Sequence, residues 1–87
     1  MLENSKIYDD GAVAVSESLK VNKSLEDLNL SNCGIRARGG KAIGEALQLG
    51  ISALSKLDLR NNTGLGNAAK QSLRDAVAGR DGFELVL

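Results

Sequence analysis

Histidine, proline and tryptophan are absent from these 87 residues, the only aromatics are Tyr8 and Phe83, and cysteine occurs once, as Cys33. Without an imidazole there is no Ser–His or Cys–His pair, and one thiol among scattered acids has no zinc-ligand spacing. A single cysteine cannot close an internal disulfide, which excludes a disulfide-stapled secreted miniprotein. No run approaches the roughly 18 apolar residues that span a bilayer. The opening Met-Leu-Glu-Asn-Ser-Lys is polar where a signal peptide needs a basic and then an apolar stretch. These absences imply a reducing, intracellular and hence cytoplasmic setting. Eleven basic residues balance eleven acidic ones. Neither a nucleic-acid nor a membrane partner is therefore expected. Three Asn-x-Ser/Thr triplets, at Asn22, Asn29 and Asn61, fall at strand and turn positions that suit asparagine without glycosylation.

What the chain does have is leucine, alanine and glycine, and these recur on a beat. The stretch L-E-D-L-N-L-S-N-C-G-I from Leu25 is echoed by L-S-K-L-D-L-R-N-N-T-G-L from Leu54, with Leu25, Leu28 and Leu30 displaced by 29 onto Leu54, Leu57 and Leu59. Gly11, Val15, Glu17 and Leu19 return 28 residues later as Gly39, Ile43, Glu45 and Leu47. With one residue inserted near Thr63–Gly64 they return again as Ala69, Leu73, Asp75 and Val77. Each unit pairs a period-two strand signal with a helical one. The spacing predicts one domain over 1–87, with helices near 9–21, 37–49 and 67–78 and strands near 25–30, 54–59 and 83–87. Crossover helices require the strands to be parallel. Small residues such as Gly39 and Ala42 are expected where a helix approaches the sheet. Asn22, Gly50 and Gly79 are expected to end helices through the left-handed conformation.

With both halves of the motif in two copies, the chain resembles the leucine-rich repeat family, and its period resembles the ribonuclease-inhibitor-like subclass. The resemblance implies an α/β fold: a short solenoid, a horseshoe segment of about three repeats with a parallel sheet on the concave face and helices on the convex face. It implies an inward ladder of Ser5, Cys33 and Asn62 satisfying backbone groups. Cys33 has a second reading as a reactive thiol near Arg36 and Arg38. The resemblance also implies protein binding through the concave face. Aligned by the period, that face carries Glu26, Asp27, Asn29, Ser31, Ser55, Lys56, Asp58, Arg60, Phe83 and Glu84, with Glu3 and Val86 completing two rows. The row Asp27, Lys56, Glu84 alternates in sign and can pair across strands. Glu17, Glu45 and Asp75 recur on the helices, where with Lys20, Lys23, Lys41 and Lys70 they form a solvated face.

Leu2, Leu30, Leu59 and Leu87 share one phase, so both ends of the stack are expected to be bare of a cap, and one or both to be covered by something. The cover would be another copy, a protein partner of unknown identity, or further repeats. Gly39-Gly40 and Gly64-Leu65-Gly66 lack the residues of a phosphate loop and read as packing and turn glycines. No catalytic residue, metal or cofactor is expected. The function implied is a non-catalytic interaction module or scaffold subunit. The alternatives are a regulator of a small GTPase, like the activating proteins of Ran, and a fragment of a longer leucine-rich-repeat protein.

Overall fold

A computed structural model describes residues 5–49 and 53–87. Leu2, Glu3 and Gly50, given roles above, lie outside these described residues. Helices α1 (Tyr8–Val21), α2 (Ala37–Gln48) and α3 (Gly66–Val77) alternate with strands β1 (Asp27–Asn29), β2 (Lys56–Asp58) and β3 (Glu84–Val86). The strands form one parallel sheet in the order β1-β2-β3, and α1 packs on α2 and α2 on α3. The paired segments are shorter than the runs 25–30, 54–59 and 83–87. Hydrogen bonding nevertheless extends beyond them, from Ser55 N to Glu26 O (2.8 Å) and from Asn32 N to Arg60 O (2.9 Å).

Leu28 sits beside Leu57, and Leu57 beside Leu85. The period-two pattern turns these side chains toward the helices. Leu28, Leu30, Leu54, Leu57 and Leu59 are buried with Leu19, Ile43, Leu47 and Leu73 in one aliphatic core. Leu85, Leu87, Phe83 and Val77 pack against that core but are only half-buried. Ser16 is the polar exception on α1, and its hydroxyl donates to Ala12 O (2.8 Å), so burial leaves it satisfied.

The turns after β1 and β2 are locked by Asn62. Its Oδ1 accepts from Cys33 N (3.1 Å) and Ile35 N (3.0 Å), while its Nδ2 donates to Leu30 O (3.0 Å) and Leu59 O (2.8 Å). One buried amide thus satisfies backbone groups of two successive turns. The preceding residues, Asn32 and Asn61, take left-handed backbone (φ 54° and 64°), which asparagine tolerates better than most side chains. Cys33 is fully buried, and its Sγ donates to Ser31 O (3.5 Å). Arg38 pairs with Asp10 (2.6 Å), and the Arg36 side chain lies against Gly64. Ser5 departs from the ladder expectation: it is exposed, because no earlier turn lies over it among the described residues.

Two further expectations are corrected. Gly39 serves the helix layer rather than the helix–sheet contact, and Gly40, expected as a packing glycine, lies in the same layer. A Cβ on Gly39 would meet Ala12 Cβ at 2.8 Å and Ile35 Cγ2 at 2.9 Å, and one on Gly40 would run into Leu65 and approach Ala69. Helix ends also differ. Asn22 is extended (φ −83°) and stops α1 through its side chain, whose Oδ1 accepts from Ser24 N (2.9 Å) and Leu25 N (3.0 Å). Gly79 lies beyond α3 without left-handed backbone.

The N-terminus of α2 has a cap that the sequence reading missed. Asp9 Oδ1, in the first turn of α1, accepts from Arg36 N (2.7 Å) and Gly39 N (3.1 Å). A carboxylate there satisfies orphan donors and suits the positive end of the helix dipole. The signal was present: a 28-residue period sets helix starts side by side, so an acid opening one helix neighbours the start of the next.

Asn62→Ala strands four backbone groups and is expected to cost about 2–4 kcal/mol in urea unfolding. Asn62→Asp, which accepts but cannot donate to Leu30 O and Leu59 O, should cost a comparable amount. Gly44 has room for a Cβ, its nearest neighbours lying at 3.8 Å. Gly44→Ala should therefore stabilise by about 0.5–1 kcal/mol, while Gly39→Ala should destabilise by about 1–3 kcal/mol. Thermal melts of the pair check both signs.

Candidate functional site

Alternation in the strands sends Asp27, Asn29, Lys56, Asp58, Glu84 and Val86 to the sheet face opposite the helices. The parallel register then aligns Asp27 with Lys56 and Glu84, and Asn29 with Asp58 and Val86. Asp27, Asn29, Lys56, Asp58 and Arg60 line one shallow depression of about 410 Å³. Five of the ten residues expected on this face meet there. Glu26, Ser55 and Ser31 lie beside the strands rather than in the depression. Ser55 is tied to Glu26 through its backbone and through Oγ to Glu26 O (3.2 Å). Ser31 N donates to Asn29 Oδ1 (3.0 Å), which closes a tight turn at the strand end. In the sign-alternating row the Lys56 ammonium lies 3.9 Å from Glu84, a long and partly exposed contact of small worth.

Two members behave differently from the expectation. Asp58 is not a freely presented acid, since its side chain is only 6% exposed. Arg60 Nε lies 3.1 and 3.2 Å from the two carboxylate oxygens, Nη2 reaches Oδ2 at 2.8 Å, and Arg60 N donates to Oδ1 at 3.0 Å. The Arg60 hydrogen bonds hold the Asp58 carboxyl below the usual carboxylate range against the opposing cost of burial. What the face presents is the Arg60 guanidinium, 61% exposed and fixed in direction. The signal for this was the i, i+2 spacing at the strand end, the same spacing that lets Asn29 bond Ser31 N. Phe83 is the second correction. It shares parity with Leu85 and Leu87, so it packs toward the core, with the Arg80 guanidinium carbon 5.1 Å from its ring centre. It does not belong to the polar face.

Among the described residues no group of three or more Cys, Asp or Glu side chains is placed to hold a metal ion, and no helix is long and apolar enough to cross a membrane. Glu17, Glu45 and Asp75 lie exposed on separate helices. Glu17 pairs with Lys20 (3.1 Å), and Asp75 accepts from Gln71 (3.0 Å).

The depressed Asp58 gives a pH prediction. A carboxyl whose folded pKa lies below its unfolded value adds stability above the unfolded pKa, near 3.9, and that stability is lost as pH falls through the folded value. Asp58→Asn keeps an acceptor for Arg60 N, as Asn29 does for Ser31 N. The variant should be less stable by about 0.5–1.5 kcal/mol at pH 7, and the gap should close below about pH 4 in parallel urea titrations.

A family model described as "Leucine Rich repeat" matches residues 21–44, the span of β1, its turn and most of α2. The "Centrosomal protein of 78 kDa" of Mus musculus is 41% identical over 59 residues, 68% of this chain. The aligned stretch spans only 7% of that relative's length. The matches, with three helices and a small parallel sheet, support a leucine-rich repeat protein of α/β fold.

Proposed function

We propose that this chain is a non-catalytic protein–protein interaction module, a short solenoid of the ribonuclease-inhibitor-like kind that binds through the concave face of its sheet. The observation carrying this is the polar array of Asp27, Asn29, Lys56 and Arg60 in one depression, with Asp58 spent on holding Arg60. Concavity follows from two spacings. Parallel strands sit about 4.8 Å apart and packed helices about 8–10 Å apart, so the sheet lies on the inside of any bend. Self-association belongs to the same reading. A cytoplasmic setting fits the single buried thiol of Cys33 and the centrosomal name of the mouse relative. The small share of that relative covered by the match favours a second reading, a stretch of a longer leucine-rich-repeat protein.

Site-directed photo-crosslinking in cells tests the binding face. A photoreactive residue at Asn29 or Lys56 should yield a discrete protein adduct, lost when Arg60→Glu is added, while one at Glu45 on the helix face should not. Equal adducts from both faces, or none from the sheet, would overturn the proposal. The same preparation should leave GTP hydrolysis by small GTPases unchanged, and clear acceleration would favour the regulatory alternative instead.

A further inference from the structure

Three groups on the outer sheet face keep bonding capacity that the fold does not use. A guanidinium carries five N–H donors. Asp58 engages the one on Nε and one on Nη2 of Arg60, a side-on pairing. The second hydrogen on Nη2 and both on Nη1 have no acceptor among the described residues. Together they make the end-on fork of the guanidinium, on a side chain that is 61% exposed. Asp27 lies exposed beside Lys56, and no cation pairs with it among the described residues. Lys56 has only its 3.9 Å contact with Glu84. All three line the same depression. They project out of the plane of the sheet, so their exposure does not depend on either sheet edge.

We propose that this depression recognises an extended acid–x–base segment of a protein partner. Its Asp or Glu carboxylate sits in the end-on fork of Arg60, and its Lys or Arg, two residues away, lies against Asp27. The inference rests on the interaction-module reading and adds the chemistry of what is bound. Two N–H groups held in one plane match a carboxylate bidentately. Asp58 has already fixed the guanidinium, so little ordering is lost when the second carboxylate arrives. Charge decides against a phosphate. Asp27, Lys56, Asp58 and Arg60 sum to zero, so a dianion would enter beside the Asp58 carboxylate with no net cation to balance it. A carboxylate brings a single charge, and the base two places on answers Asp27. The spacing agrees. Asp27 lies one strand across and two residues along from Asp58, where the Arg60 head group is held. That diagonal is roughly 8 Å, and alternate residues of an extended chain lie about 7 Å apart on one face.

The probe is a phage-displayed library of random dodecapeptides panned against the 87-residue chain. Enriched peptides should share an acid–x–base core. Changing the acid of such a peptide to its amide should weaken binding roughly ten- to hundredfold. Arg60→Lys keeps the charge but loses the fork, and should weaken binding about tenfold. Asp27→Lys should weaken binding too, and a peptide whose base is replaced by Glu should recover it. No enrichment, enriched peptides without the shared acid, or equal binding to a folded Arg60→Lys chain would overturn the proposal. So would a phosphoserine in place of the acid binding tenfold more tightly. If circular dichroism shows that Arg60→Lys unfolds, the peptide's own amide variant and the Asp27→Lys charge swap decide. Enriched peptides that crosslink to a photoreactive residue at Asn29 but carry no acid sink the carboxylate assignment alone. Absence of any adduct on the sheet face removes the interaction-module reading with it.

Discussion

The buried amide of Asn62 is the constraint from which the rest of the structure is set. It accepts from two amides of the turn after β1 and donates to carbonyls at the ends of both neighbouring strand segments. A hydroxyl could not donate twice, and a carboxylate could not donate at all once ionised. The side chain therefore specifies not only its own turn but the distance and register between successive turns. That register places Leu28 beside Leu57 and Asp27 beside Lys56, so core and outer face are fixed by the same contacts. Cys33 occupies the corresponding place in the preceding turn, where its sulfur reaches Ser31 O of its own turn. Two further ties hold the first unit: Asp9 holds α2, and Tyr8 N donates to Cys33 O (2.9 Å).

With the register fixed, the outer sheet face becomes a matter of which polar groups are already engaged. Asn29 and Asp58 share one row and one local task, accepting the backbone amide two residues on. The difference between them is charge. Asn29 closes its turn and does nothing electrostatic, whereas Asp58 also captures the guanidinium two residues away. Arg60 is then a directed donor rather than a mobile one, which lowers the ordering cost of any contact it makes. Lys56, with only a long contact to Glu84, keeps its freedom. The face thus combines one fixed cation with one adaptable cation between exposed acids.

Much of this could be read from residue spacing, and the reasons for what could not are specific. The displacement of Leu25, Leu28 and Leu30 onto Leu54, Leu57 and Leu59 is a one-dimensional signal, and it carries strand identity, parallel order and register together. The inward place of Cys33 and Asn62 follows from the same count. Ser5 shares the count but not the environment, because no earlier turn lies over it among the described residues. Phe83 was assigned by row instead of by parity, and parity decides where a strand side chain points. Gly39 is expected at the sheet and lies against a helix instead, because a sequence shows that a helix position is small without showing which neighbour demands it. The Asp9 cap and the burial of Asp58 both depend on contacts across or at the ends of elements. Periodicity marks such places but does not assign their partners.

The irregular third unit shows what in the repeat is being held constant. Ile7 lies against Gly11, Ile35 against Gly39, and Leu65 precedes Ala69 by the same four residues. The first two pairs set an apolar residue just before a helix against a small residue in its first turns, fixing the angle at which the chain enters the helix. The residue inserted near Thr63–Gly64 leaves this relation intact. Gly64 has no Cβ and sits beneath the Arg36 side chain, and Leu65 is carried over Gly40 of the neighbouring helix. The extra length is thus taken up in an exposed turn, where backbone can adjust, while the pair that joins turn to helix and helix to helix stays in phase. A strict count of residues is not what this fold requires. It requires that each turn deliver one apolar side chain to the start of the next helix, and Leu65, four residues before Ala69 and over Gly40, keeps that place despite the insertion.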